Sequence, residues 1–291
     1  MKNVTINFCE IDCFHKEDLY RRVLAYLSNN KKVCIVKINT EFLVRAIVNQ
    51  DFRETINKAE ISIADGRGVL WAARYLTLPI SKYRAVRIFQ AFWQMIYSGA
   101  AIVINPGYIT SPIPENIPGV DALRLMLRAA IDTDSGVFFF GASQPDLDEA
   151  IKNITKEMPQ IRISGSLNGY DFQRDKDINP VDIINKTDAK LLIVALGSPL
   201  QEYWIRDNLK KLKNVKVAVG EGGSFAFLAG TLKRAPIWMQ KLGLEWLWRL
   251  FANRSLTHQT GSRLRRVWNA VPVYIYEVVK WKVKYGATEV K

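Results

Sequence analysis

Three turns in this chain hold groups that could do chemistry. Asp65 and Gly66 follow the apolar run Ala59–Ala64 and precede a helical pattern. A carboxylate at such a turn can take a proton from a hydroxyl nucleophile, or it simply caps the helix behind it. Gly197-Ser198-Pro199 leads into Gln201 and Glu202. There the glutamine amide could hold a sugar or a base, or the pair supplies ordinary first-turn polarity. Gly220-Glu221-Gly222-Gly223-Ser224 could cradle a phosphate on backbone N–H groups, or form a tight turn. Its glycine spacing fits neither the dinucleotide fingerprint nor a Walker loop, which disfavours a dinucleotide enzyme or an ATPase.

Metal chemistry has less to draw on. Asp146-Leu147-Asp148 has the Asp-x-Asp form that can hold a divalent ion on a nucleotide diphosphate, and Asp132/Asp134 and Asp175/Asp177 share the spacing. Asp146 and Asp148 open a helical segment, where acidic side chains are favoured by the helix dipole, and no metal is expected at any of the three. His15 and His258 are the only histidines, which excludes a multi-histidine metal site and leaves a Ser-His nucleophile little support. Cys9, Cys13 and Cys34 cannot all pair, and nothing resembles a secretory leader. A reducing cytoplasm is the expected compartment.

The turns need a scaffold, and the hydrophobic pattern supplies one. An edge strand is expected over residues 3–8, and further strands at Val33–Ile38, Ala59–Ala64, Gly136–Phe140, Ile161–Gly165, Leu191–Leu196 and Val215–Val219. Helical spacing falls between them: Lys16–Leu27, Glu41–Asn49 with Thr40 as N-cap, Gly68–Leu76, Asp121–Ala130, Asp146–Met158, Asn179–Asn185 and Gln201–Leu212. Asn168–Ile178 reads as a loop. Alternating strands and helices predict a doubly wound α/β fold with a mostly parallel sheet, whose carboxyl-end turns form one ligand crevice. Glycine turns and helix N-termini there suit a phosphate- or nucleotide-bearing ligand.

Two more helices, Pro236–Phe251 and Leu264–Lys284, follow the sheet. Residues 231–291 hold twelve of the 41 Lys/Arg but only three of the 28 Asp/Glu, and so carry +9 of the net charge of +13. Five of the eight tryptophans fall there too, which suits an anionic surface: membrane headgroups first, nucleic acid only on charge alone. Ile88–Pro114 holds no charged residue. It reads as a core helix Ala85–Ser98 plus a short strand, or as a surface that dips into lipid. Gln90, Gln94, Asn105 and the prolines and glycines after Ile104 argue against a membrane span.

The segments INTEF, ADGRGVLWAARYL, GSPLQEYWI and GEGGSFAFLAGTLKRAPIWMQKLGLEWLWRL occur in that order. With them the chain resembles the WecG/TagA/CpsF glycosyltransferases from about Val33 to Trp281, most closely from Ala195 to Phe251. The resemblance implies a Rossmann-like catalytic domain over residues 1–230 and a basic, Trp-rich, membrane-associating helical appendage over 231–291. It further implies an inverting, metal-independent and cofactor-free transfer of an N-acetylmannosamine-type sugar from a UDP-sugar to a polyprenyl-diphosphate-linked acceptor. The place would be the cytoplasmic membrane face, in teichoic acid or other surface-polysaccharide synthesis, with no nucleic-acid partner and room for a homo-oligomer. Asp65 falls on the family's catalytic base, Asn39 on the Asn before its first helix, and Gln201 on the Gln of its Gly-x-Pro-x-Gln-Glu motif. Tail arginines that close over the diphosphate would be found among Arg249, Arg254, Arg265 and Arg266. The expected substrate-binding residues are Asn39, Thr40, Asp121, Gly141, Gly197, Gln201, Glu202, Gly222, Gly223, Arg249 and Arg254.

Five departures stand out against that pattern. Lys37 replaces the family's usual Thr, Asn116 its Arg, Ala226 its Asp after Phe225, and Glu221 a common apolar residue, while Ile88–Pro114 looks inserted. A lost Arg and an added Glu near a diphosphate would weaken donor binding unless Lys37 compensates. Altered donor specificity is therefore expected, and the rival reading is a non-catalytic anion- or lipid-binding homologue.

Overall fold

The first apolar run does not join the main sheet. In the computed structural model, which describes residues 2–174, 177–222, 224–231, 235–236, 239, 248 and 269–291, Asn7 and Phe8 have φ of 48° and 70°. Two successive left-handed residues make the tight turn whose twist matches a hairpin. β1 (Asn3–Ile6) therefore folds back antiparallel on β2 (Cys9–Asp12). The edge strand expected over residues 3–8 is instead a separate two-stranded ribbon.

The main sheet contains β3 (Val33–Ile38), β4 (Ile61–Ala64), β5 (Gly136–Gly141), β6 (Ile163–Leu167), β7 (Ala189–Ala195) and β8 (Val217–Gly220). Their order is β4-β3-β8-β7-β5-β6, and every pairing is parallel. Successive side chains leave opposite faces of a strand. Ile35, Ile63, Phe139, Ile193 and Val219 thus fill one core, while Ile38, Ala64, Phe138, Val194 and Ala218 lie on the other side. Both faces need covering, which explains why these strands read as continuous apolar runs.

The covering helices are, in chain order, α1 (Lys16–Ser28), α2 (Thr40–Val48), α3 (Gln50–Asn57), α4 (Arg67–Thr77), α5 (Arg84–Ile104), α6 (Gly119–Asp132), α7 (Gln144–Glu157), α8 (Gly169–Arg174), α9 (Pro180–Asn185), α10 (Leu200–Asn208), α11 (Ser224–Leu228) and α12 (Tyr274–Tyr285). α1, α6 and α7 bury Leu19, Val23, Leu123, Met126, Leu147 and Ile154 on the first core. α2, α3, α4 and α12 cover the far end of the second. Three expectations are corrected here. α3 and the short α8 occupy stretches read as loop or left unassigned. Residues 88–114 contain no strand. α5 is not a core helix, because Ala91 and Ser98 are its only buried residues.

α12 belongs to the expected appendage, yet it packs into the body of the fold. Tyr274 and Val278 are buried with Ile38 and Ala64, and beyond the helix Asn3 and Lys291 exchange backbone hydrogen bonds of 2.9 and 3.0 Å. The expected helix Pro236–Phe251 falls almost wholly outside the described residues.

Lys282 on α12 is fully buried. Its ammonium donates to the Tyr75 carbonyl on α4 and lies 4.3 Å from the centre of the Tyr75 ring. Burial, assisted by nearby Arg74, pushes this lysine down from 10.5 to about 7. Above that value the folded chain holds it neutral, whereas the unfolded chain keeps its proton up to the ordinary lysine range. Unfolding then takes up a proton, so stability rises with pH from about 7 upward and the gain is absent below. Between about pH 7 and 8.5 this group should add up to ~2 kcal/mol of stability, before the Cys9 and Cys34 thiols, both pushed up to about 12 by burial, act in the opposite sense. Urea titrations across that window should show the rise in the wild type and a flatter profile in Lys282→Met.

Candidate active site

Because the six strands run parallel, their carboxyl ends share one edge and the segments after them meet there. Ile38 pairs with Ala64, and the Asp65 N–H donates to the Ile38 carbonyl at 2.8 Å. Asp65 after β4 and Asn39 after β3 therefore sit side by side. The neighbouring strands bring Glu221 and Gly222 after β8, Gly197 and Ser198 after β7, and Gly141 to Ser143 at the end of β5.

The helix-cap reading of Asp65 does not hold. The N-cap of α4 is Gly66, with φ 113° and no side-chain cap bond, a backbone region that glycine alone enters readily. Asp65 is half-buried, and among the described residues no donor engages its carboxylate. The turn behind it is fastened from outside. The Gly66 N–H donates to Asn116 Oδ1 at 2.6 Å, and the Ile117 N–H donates to the Ala64 carbonyl at 3.2 Å. Asn116, the position where the family was expected to carry Arg, thus holds the Asp65 turn. Asp121, in the first turn of α6, joins Asn116 in lining a groove of about 780 Å³ that runs along α6 to Met158, away from the strand ends.

Asn39, not Thr40, caps α2: the Phe42 N–H donates to Asn39 Oδ1 at 3.0 Å, from an extended backbone at Asn39 that the preceding strand supplies. Thr40 is the first helical residue. A Cβ on Gly68 would lie 2.7 Å from Thr40 Cγ2, so glycine lets α2 and α4 start in contact. The positive ends of both helices consequently point into the crevice beside Asp65.

Gln201 and Glu202 are buried. Gln201 Oε1 accepts from the Gly197 N–H at 3.2 Å, and its Nε2 donates to Glu202 Oε1 at 2.7 Å. A Cβ on Gly220 or Gly222 would fall 2.4 or 2.7 Å from the same amide. Gln201 therefore clamps the turn after β7 onto the turn after β8. Burial pushes the Glu202 carboxyl up, partly offset by bonds from Gln201 and Ser198. Arg45, on α2, reaches Ser198 Oγ at 3.5 Å; the sequence reading missed it, though its place one turn after Glu41 aims it at this edge. Gly141, with φ 121°, has a structural duty, because a Cβ there would sit 2.4 Å from the Ala195 carbonyl carbon. Gly197 is likewise left-handed at 80°.

The two added charges meet. Lys37 Nζ donates to Glu221 Oε2, with the two side chains 10% and 0% exposed. Glu221 thus arrives with its own cation on the adjacent strand. Among the Asp-x-Asp pairs, Asp146 and Asp148 bond Ser143 and Gln144 at 2.7 Å each, while Asp132 and Asp134 bond Tyr20 and Arg162. The first pair sits in the opening turn of α7, which follows β5, and the second bonds surface side chains. Gly223, Asp175, Arg249, Arg254, Arg265 and Arg266 lie outside the described residues.

Comparison with known proteins adds chemistry to this geometry. The model of the "Glycosyl transferase WecG/TagA/CpsF family" matches residues 4–97 and 82–288, two segments that meet on α5. A Bacillus spizizenii protein is 29% identical over 257 residues, covering 88% of this chain and 82% of its own. Proteins of Bacillus subtilis and Staphylococcus aureus are each 26% identical, over 78% and 86% of this chain and 75% and 81% of theirs. All three are named N-acetylglucosaminyldiphosphoundecaprenol N-acetyl-beta-D-mannosaminyltransferase.

The buried Lys37–Glu221 pair makes a sharp stability test. Removing one partner takes a bonded counter-charge from the other in the interior, so Lys37→Met and Glu221→Leu should each lose about 3–5 kcal/mol in urea unfolding. The double variant Lys37→Met/Glu221→Leu should recover most of that loss, and additive losses would show that the two side chains do not act as a pair.

Proposed function

Because the chain belongs to the WecG/TagA/CpsF glycosyl transferase family, it is a glycosyltransferase, and we propose that it moves an N-acetylmannosamine-type sugar from a UDP-sugar to a polyprenyl-diphosphate-linked acceptor. The acceptor class follows from the names of its relatives, whose substrate is N-acetylglucosaminyldiphosphoundecaprenol. The observation that carries the reading is the Asp65 turn. It offers a half-buried carboxylate, beside Asn39, at the mouth of an edge built from helix N-termini and glycine turns.

In this mechanism the Asp65 carboxylate takes the proton of the acceptor hydroxyl as its oxygen attacks the anomeric carbon. The bond from that carbon to the diphosphate breaks on the opposite face, UDP leaves with the electron pair, and the configuration inverts. Charge gathers on the departing diphosphate, where the N-terminal N–H groups of α2, α4 and α10 and the Gly222 turn suit an anion. Asn39 spends its Oδ1 on the α2 cap, which leaves its amide N–H group to donate to sugar or phosphate. Gln201 and Glu202 act by fixing the Gly197 turn against Gly222. No divalent ion is needed in this scheme, in which the backbone dipoles of these helix N-termini carry the neutralising load. No helix among the described residues is long and apolar enough to cross a membrane. A lipid-linked acceptor and the basic, Trp-rich residues 231–291 then favour a peripheral enzyme at the inner membrane face.

The test is calorimetry plus kinetics. UDP and UDP-N-acetylmannosamine should bind the purified chain with affinities unchanged by EDTA. Asp65→Asn should keep donor affinity within a few-fold while kcat falls by about 10²–10⁴. Full turnover by a folded Asp65→Asn protein would remove Asp65 as the base, and chelation that abolishes donor binding would remove the metal-free scheme.

A further inference from the structure

α5, where the two segments of the family match meet, is inside out. It is 21 residues long, roughly 30 Å, and after Arg84 every exposed position on it is apolar. Phe89, Phe92 and Trp93 are 70%, 55% and 59% exposed, and Ile104 is 82% exposed. Three- and four-residue spacing gathers them on one outward face. The polar side chains turn inward instead. Gln90 Oε1 accepts from the Ser81 N–H at 2.8 Å, Gln94 Nε2 donates to the Pro79 carbonyl at 2.8 Å, and Trp71 Nε1 donates to Ser98 Oγ at 3.0 Å. Arg87 donates to the Ser81 and Val283 carbonyls at 2.9 and 3.2 Å. A helix facing water carries the reverse pattern, and a continuous apolar face of this extent marks an interaction site.

We propose that the outward face of α5 lies in the plane of an anionic lipid surface, as a contact separate from the basic residues 231–291. This rests on the peripheral-membrane reading above and assigns it a second element. The helix does not span, because no described helix is apolar enough over its length to do so. Its aromatic face has the composition of an interfacial helix. Lys82 and Arg84 are exposed at its start, and no Asp or Glu occurs between Asp65 and Glu115 to repel lipid phosphate. With Gln90, Gln94 and Arg87 turned inward, the outward face beyond Arg84 keeps only the Trp93 indole and the Tyr97 hydroxyl as polar groups, the two aromatic types that suit a membrane–water interface. Lipid accounts for the apolar chains and the neighbouring cations together.

The same helix is tied to the Asp65 turn. Arg67, the first residue of α4, donates to the Ile102 carbonyl at 3.0 Å, and the Trp71 bond to Ser98 lies one turn further along. Laying α5 on a bilayer therefore brings the turn that carries Asp65 toward the depth at which a lipid diphosphate sits.

The full chain, with and without Phe89→Ser/Trp93→Ser, would be co-sedimented with phosphatidylglycerol–phosphatidylcholine vesicles and sized by ultracentrifugation without lipid. Both altered positions are exposed, so the melting temperature should not move. The expected result is vesicle binding by the wild type and at least a ten-fold weaker partition for the variant. Wild-type binding with an unchanged variant would overturn the role of α5 and leave the peripheral reading standing. No binding by the wild type would overturn both. A wild-type dimer that the variant converts to monomer, with lipid binding unaltered, would assign the face to a second copy and overturn the proposal.

Discussion

Parallel pairing of six strands places every carboxyl strand end on one edge, and the chemistry of this molecule depends on how closely the turns at that edge can approach. The approach is a backbone matter. Gly141 meets Ala195, Gly220 and Gly222 meet the Gln201 amide, and Gly68 meets Thr40, each at a distance that leaves no room for a Cβ. Where glycine opens space, a side chain that bonds backbone closes it: Gln201 across two turns and Asn116 behind a third. The crevice is thus assembled largely from main chain, drawn together by side chains that bond it.

That construction explains the tolerance of two charges in its middle. An isolated glutamate at the end of β8 would be an unsolvated anion in a sheet interior. Paired with Lys37 on the adjacent strand, it becomes a neutral unit that can sit beside an anionic donor without repelling it.

Much of this was legible in the sequence. Strands buried on both faces give unbroken apolar runs, and a carboxylate between a strand and a helix in a parallel sheet has only one edge to occupy, so Asp65 was placed by pattern alone. The misses have physical causes. Phe8 is left-handed where its bulk disfavours that conformation, which concealed a hairpin. Asn39 and Thr40 are both good caps, and only the extended backbone at Asn39 selects between them. Helical periodicity finds the apolar face of α5 but does not say whether protein or solvent lies against it; the inward bonds of Gln90 and Gln94 decide that. Lys37 and Glu221 each look out of place, and only the β3–β8 pairing brings them together.

Tyr274 shows how far the site depends on distant chain. Its ring is buried against Trp71 on α4, and its hydroxyl donates to the Gly68 carbonyl at 3.3 Å, in the first turn of the helix that follows Asp65. A ribosome makes Asp65 early and Tyr274 long after the final strand of the sheet. While synthesis is under way, a nascent chain can complete its sheet and still lack the wall that steadies its Asp65 turn. The Asp65 edge of the crevice is therefore finished only when α12 has been made and docked onto α4.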